Sequence, residues 1–155
     1  MKKLRNKFLI LLSAFSLLSC VNTNKVKYQL NKVDDGQLIQ INGEQLYNLS
    51  IEQKENVVCL FKIDNCASCS YAFTQTNEFC KLNQCIMYYI DIGTTDEENY
   101  NKIVSATTYV DDYYAFKEYG SPLELPIVYF FLDQAVVFTV SDNFIDFYID
   151  NIEII

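Results

Sequence analysis

The stretch Val57-Val58-Cys59-Leu60-Phe61-Lys62-Ile63-Asp64-Asn65-Cys66-Ala67-Ser68-Cys69 decides how this chain folds. Its first seven residues form a nearly continuous apolar, β-branched run. That suits a central strand covered on both faces rather than one with a wet side. Asp64-Asn65 break the run. From Cys66 to about Leu82 the period changes: Ala72, Phe73, Thr76, Phe79 and Cys80 recur at three and four residues, the spacing of a helix. Two cysteines therefore open a helix directly after a buried strand.

Reading outward, Leu38 to Ile41 is a short first strand, Asn42-Gly43 a turn, and 43–53 a helix-like stretch with Leu46, Leu49 and Ile51 inward. Cys85 to Asp91 is a second apolar strand. Thr95 and Glu98 have the spacing of a capping box, and the helix they open is expected to run, with a break near Asp111-Asp112, to Tyr119, where Gly120 stops it. Pro126 precedes the apolar strand 127–132, Asp133-Gln134 turn the chain, and 135–140 return as a hairpin. Asp142-Asn143 cap a last helix striped by Phe144, Ile145, Tyr148, Ile149 and Ile152. The order β-α-β-α-β-α-β-β-α belongs to the α/β class. It predicts a three-layer α/β/α domain whose mixed sheet has parallel strands and a C-terminal antiparallel hairpin.

The chain has 155 residues, the length of one domain, and is 50% apolar and 15% aromatic, which is ample for a packed core. Its net charge is −8, and the charges are unevenly spread. Lys2, Lys3, Arg5 and Lys7 crowd the start, whereas seven acids and no base follow Lys117. A body this acidic repels phosphate backbones, so no nucleic acid is expected as a partner. With no histidine in the chain, His-based triads, Cys–His nucleophiles and His-ligated metals are excluded.

Residues 1–19 have the layout of an export signal: basic residues, the apolar run Phe8 to Leu18, then small or polar ones. The run is too short to cross a hydrocarbon core, which needs about 20 helical residues. Leu17-Leu18-Ser19-Cys20 resembles the lipobox of bacterial lipoproteins. That resemblance implies cleavage before Cys20 and a diacylglyceryl thioether on its sulfur, with the protein anchored on the outer face of the cell membrane. An ordinary signal peptide cut nearby is the other reading. Residues 20–36, polar and rich in Asn and Lys, read as a flexible tether, and 37–155 as the folded domain.

With Cys20 assigned to lipid, five cysteines remain. Cys66 and Cys69 lie one helical turn apart on the same face and can close a small disulfide ring. At a helix N-terminus, unsatisfied N–H groups and the dipole both stabilise thiolate, so the Cys66 pKa is expected to fall below about 8.5. Cys66 is then the attacking thiol and Cys69 the resolving one. Cys80 and Cys85 flank a helix-to-strand turn and are expected to form a structural disulfide, with a second redox pair or free thiols as the other readings. Cys59, inside the buried strand, reads as an inert core thiol. A Cys₄ zinc site from Cys66, Cys69, Cys80 and Cys85 lacks a second tight knuckle, and no metal or other cofactor is expected.

The CxxC after the central strand, together with Tyr119-Gly120 and Leu125-Pro126 before an apolar hairpin, resembles the thioredoxin superfamily over roughly residues 38–155. The resemblance implies a thioredoxin-like fold, a cis bond before Pro126 (Pro122 being the other position), and a substrate contact at Leu125 and Pro126. The segment around 41–49 is also similar to bacteriocin transport accessory proteins. Several positions depart from the family. Asn65 stands where Trp is usual, Leu60 where a buried acid helps move a proton, and Ala67-Ser68 where Gly-Pro is usual; no His lies in the ring. An intermediate potential is therefore expected. Tyr113, Tyr114 and Phe116 either line a substrate groove or pack the core.

These readings converge on a membrane-tethered thiol–disulfide oxidoreductase, monomeric, working on exported protein thiols and disulfides with a redox partner protein. The rival is a lipoprotein binding or accessory module on the same scaffold, with Cys66–Cys69 merely structural.

Overall fold

In the computed structural model, residues 27–107, 116, 118–120, 124–132, 134–138 and 143–155 are described. The chain is built around β3 (Val57–Lys62), the middle strand of a five-stranded sheet. Its neighbours are β4 (Ile86–Asp91) in parallel and β5 (Ile127–Leu132) in antiparallel. Outside these lie β2 (Gln37–Gln40), parallel to β4, and β6 (Gln134–Phe138), antiparallel to β5. The sheet is therefore mixed, with parallel strands on one side and a C-terminal antiparallel hairpin on the other.

The apolar run in β3 serves two cores at once because successive side chains point to opposite faces. Val57, Cys59 and Phe61 face α1 (Gly43–Tyr47) and α3 (Glu97–Ala106), where they meet Leu46, Tyr100 and Ile103. Val58 and Leu60 face α2 (Ala67–Asn83) and α4 (Phe144–Asn151), where they meet Ala72, Phe79 and Tyr148. All five strand residues are fully buried. The layers are therefore helix, sheet, helix.

Local chemistry sets most element ends. Asn42 caps α1 in a reciprocal box with Gln45, and the helix widens into a π turn, Asn48–Glu52, before β3. Gln84, in the left-handed conformation at φ 54°, closes α2. The cap of α3 is Asp96, whose carboxylate accepts from the Asn99 amide; Thr95, one residue earlier, instead donates its hydroxyl to the Asp91 carbonyl.

Three expectations are corrected. The helix α3 ends at Ala106, where the Thr107 hydroxyl donates to the Ile103 carbonyl, and Tyr119-Gly120 form a separate turn. The last helix ends at Asn151, and Ile152–Ile154 continue as a strand, β7. Part of the expected tether is its partner: β1 (Tyr28–Leu30) pairs in parallel with β7, so the folded body begins well before residue 37. Leu30 and Ile152 are buried in the α2/α4 core, each worth about 1.5–3 kcal/mol of apolar transfer. The Tyr28 hydroxyl donates to the Val57 and Phe131 carbonyls, which ties this small sheet to the large one. Ile149 is half exposed and does not join the stripe. The proposed signal, Cys20, the Asp111-Asp112 break and the Asp133 turn lie outside the described residues. Among the described residues, no helix is long and apolar enough to cross a membrane.

Candidate functional site

Beyond Lys62 the chain leaves the sheet through Ile63 and turns at Asp64-Asn65. Asn65 takes φ 59°, a left-handed conformation that Asn tolerates better than most residues. The turn delivers Cys66 to the N-cap of α2 in extended geometry, at φ −116° and ψ 113°. A cap normally offers an oxygen to the first free N–H groups of the helix. Here the acceptor is sulfur: the Cys69 amide donates to Cys66 Sγ at 3.1 Å. The Ser68 hydroxyl lies 3.2 Å from the same sulfur. Cys66 and Cys69 are joined in a disulfide with Cα atoms 5.2 Å apart, so the expected ring is closed. The hydroxyl is then the member of the Ser68–Cys66 contact that carries a proton.

Exposure separates the two cysteines. Cys66 is half buried, and its flanking residues Asn65, Ala67 and Ser68 are exposed, so an incoming sulfur can reach it. Cys69 is fully buried. When the ring is opened, a thiolate at Cys66 inherits the Cys69 N–H, the Ser68 hydroxyl and the positive end of a 17-residue helix. Pro at position 68 has no such hydroxyl. The serine thus supplies some of the stabilisation whose absence the missing His suggested.

The Leu125–Pro126 peptide bond is cis. Ile127 stands opposite Phe61 in the β3/β5 register, so Leu125-Pro126 approaches the sheet at the end where β3 runs out toward Cys66. Leu125 is partly buried against the α1/α3 core. Phe116 belongs to that core, its ring in tilted contact with Phe61 and Tyr129 and edge-on to Tyr100. Tyr113, Tyr114 and Pro122 lie outside the described residues.

At the same end of the sheet is a charged cluster that sequence reasoning missed. Lys62 Nζ contacts Asp64 Oδ1 at 2.8 Å and Asp91 Oδ2 at 2.9 Å. Burial pulls the Lys62 pKa down, but the two carboxylates outweigh it and hold the ammonium above its ordinary value. The same contact lowers Asp64. The only sequence signal was a lone cation closing an apolar strand. Its partner Asp91 is found only once β3 and β4 are in register.

The other cysteines behave differently. Cys59, Cys80 and Cys85 are buried free thiols. The bridge expected between Cys80 and Cys85 is not closed: the Cys85 thiol, helped by burial, raises the Cys80 pKa, and Cys80 lowers that of Cys85. Burial alone pushes Cys59 up. The four-cysteine zinc arrangement fails on distance, because Cys66 and Cys80 sit 14 residues apart on one helix, about 21 Å at 1.5 Å per residue. Among the described residues, no group of three or more His, Cys, Asp or Glu could hold a metal ion. A cleft of about 230 Å³ opens between the ends of β2 and β4, lined by Gln40, Asp91, Thr95 and Asp96 among others. Thr95, Asp91 and Asp96 already bond within the protein there. No family model, curated protein or solved structure matches this chain.

Proposed function

We propose that this protein is a thiol–disulfide oxidoreductase working through Cys66 and Cys69. The observation that carries the reading is the placement of Cys66: a half-buried cysteine at the N-cap of α2, its sulfur facing one amide and one hydroxyl donor. The strand order β2-β4-β3-β5-β6, parallel on one side of β3 and antiparallel on the other, supports a thioredoxin-like fold around it.

In the reducing direction, the Cys66 thiolate attacks one sulfur of a protein disulfide. A mixed disulfide forms and the substrate's other sulfur leaves as thiolate. Cys69, deprotonated, then attacks Cys66 Sγ, which closes the Cys66–Cys69 bond and releases the substrate's second thiolate. Two electrons have passed to the substrate, and a dithiol reductant must return them. In the oxidising direction the same steps run backward, from a substrate dithiol to the Cys66–Cys69 disulfide. Leu125 and Pro126, at the end of the sheet where β3 runs out toward Cys66, are proposed to present backbone to the substrate strand.

The lipid anchor at Cys20 belongs to the same proposal. With β1 starting at Tyr28, the stretch between Cys20 and the folded body shortens to residues 21–27. Tyr28 docks beside Val57, at the start of β3, whereas Cys66 follows the strand's other end. Six strand residues at about 3.3 Å each separate the two ends by roughly 20 Å. The redox pair would therefore face away from the membrane, toward exported proteins.

The test is equilibration of the domain with glutathione and glutathione disulfide, with the cysteines mapped by alkylation and mass spectrometry. A Cys66–Cys69 potential between about −120 and −270 mV, and mixed disulfides trapped by Cys69→Ser, would support exchange. A potential below about −300 mV with nothing trapped would mark a structural bridge and turn the reading to a binding module.

A further inference from the structure

Lys62 is an unusual residue to find at the end of a central strand. Its side chain is only 14% exposed, and a lysine this covered needs partners. It has two, and they come from different parts of the chain. Asp64 lies two residues before Cys66, in the turn that sets the start of α2, and its side chain is 74% exposed. Asp91 ends the neighbouring strand directly opposite Lys62 in the parallel register, and is 7% exposed. The second Asp91 oxygen accepts the Gly93 amide at 2.9 Å, so this carboxylate is fixed from both sides. The Lys62 ammonium also lies 5.9 Å from the Tyr89 ring, on the electron-rich face that favours cations.

One cation thus faces two carboxylates. It anchors the turn leading to Cys66 to a buried acid on the next strand. Removing it would leave Asp91 buried and uncompensated, and would leave Asp64 two residues from the redox sulfur with its charge unopposed. Both effects act against a second negative charge at Cys66.

Resting on the proposed exchange reaction, we infer that Lys62 is a positioning residue for the Cys66–Cys69 pair, holding the Asp64-Asn65 turn against Asp91 and balancing both carboxylates at the end of the sheet that leads into Cys66. No atom or electron passes through it. It biases the step in which the Cys66–Sγ bond to its partner sulfur breaks and Cys66 leaves as thiolate. Asp64 opposes that step from the same cluster. The two residues should therefore act with opposite signs, which loss of packing cannot imitate.

The experiment compares wild type, Lys62→Met, Lys62→Arg and Asp64→Asn by glutathione equilibration and by the pH dependence of Cys66 alkylation. Lys62→Met is expected to shift the equilibrium toward the disulfide by about threefold, or about 14 mV for two electrons, and to move Cys66 alkylation to higher pH. Lys62→Arg should restore most of the shift. Asp64→Asn, at an exposed side chain, should move both readouts the other way by about twofold and carries the test alone if Lys62→Met does not fold. Shifts of the same sign in Lys62→Met and Asp64→Asn, or none, would overturn the inference while leaving exchange intact. A wild-type pair that glutathione cannot open would instead overturn the functional reading on which it rests.

Discussion

The helix α2 carries a cysteine pair at each end, and the two ends have opposite chemistry. At the N-terminus, Cys66 is half buried, bonded to Cys69, and faced by an amide and a hydroxyl. At the C-terminus, Cys80 and Cys85 are buried free thiols. There the helix presents carbonyls rather than amides: the Cys80 carbonyl accepts the Cys85 N–H at 3.1 Å. The helix end favours a negative sulfur at Cys66, whereas burial and the neighbouring thiol oppose one at Cys80. Solvent access follows the same split. Cysteine content alone therefore does not identify redox chemistry. The end of the helix on which a pair sits decides whether it is open to solvent or packed away.

The strongest challenge to this contrast is kinetic. In the fully reduced native domain, Cys66 is expected to alkylate on the order of a thousandfold faster than Cys80 or Cys85, which react only when the structure opens. Time-resolved mass spectrometry with a small haloacetamide measures it. Comparable rates at both ends would dissolve the comparison.

Phe79→Ala tests whether the buried end is held by packing. Phe79 is 2% exposed and packs on Tyr148, whose hydroxyl meets that of Thr76 at 2.8 Å. Its loss is expected to cost about 3 kcal/mol in urea unfolding and to speed alkylation of Cys80 and Cys85. The Cys66–Cys69 equilibrium with glutathione should stay within about twofold, since no contact of the N-terminal end is removed. A large redox shift would mean that the two ends are coupled through the helix.

The legible parts of the chain are those whose signal is local. The run 57–63 shows a two-faced strand because every position is apolar except Lys62, and the change of period after Asn65 shows α2 for the same reason. The cysteine pair inherits its meaning from that junction. What stayed hidden depends on distant partners. The strands β1 and β7 have three residues each and exist through one another, more than 120 positions apart, so neither shows a period of its own. Ile152 is buried either as the last helical stripe position or as a strand residue, and the pattern cannot separate these. Lys62 shows only as a lone cation closing an apolar strand until the β3/β4 register sets Asp91 against it. Ser68 read as a mere substitute for Pro, because its bond to Cys66 depends on the cap geometry.

Gly36→Ala probes how the N-terminal segment covers the buried pair. A methyl group on Gly36 would collide with the Cys80 carbonyl and crowd the Cys85 amide, both backbone atoms that cannot rotate away. The Gln37 amide donates to the Cys85 carbonyl and the Val33 amide to that of Gln84, so the segment would have to lift off two bonds. The expected cost is about 2 kcal/mol of stability, with faster alkylation of Cys85 and Cys66 unchanged. An unaffected stability would show that the segment does not seal this end.

Ser68→Ala is the smallest and most local change. It removes one hydroxyl from Cys66 Sγ and leaves the Cys69 amide and the helix dipole in place. A hydrogen bond to a charged group is worth about 1.5–3 kcal/mol, but Ser68 is exposed and water can replace much of it, so about 0.7 kcal/mol should remain. That corresponds to a rise of about half a unit in the pKa of the Cys66 thiol. The sign follows from which form the hydroxyl favours. It donates to thiolate, so its loss raises the pKa, reduces the thiolate fraction near neutral pH and favours the disulfide. Alkylation of Cys66 against pH gives the midpoint directly, and the buried thiols serve as the internal reference in the same sample. A midpoint that does not move would assign the whole stabilisation to the helix end, and Ser68 would then count only as a residue of the exposed rim.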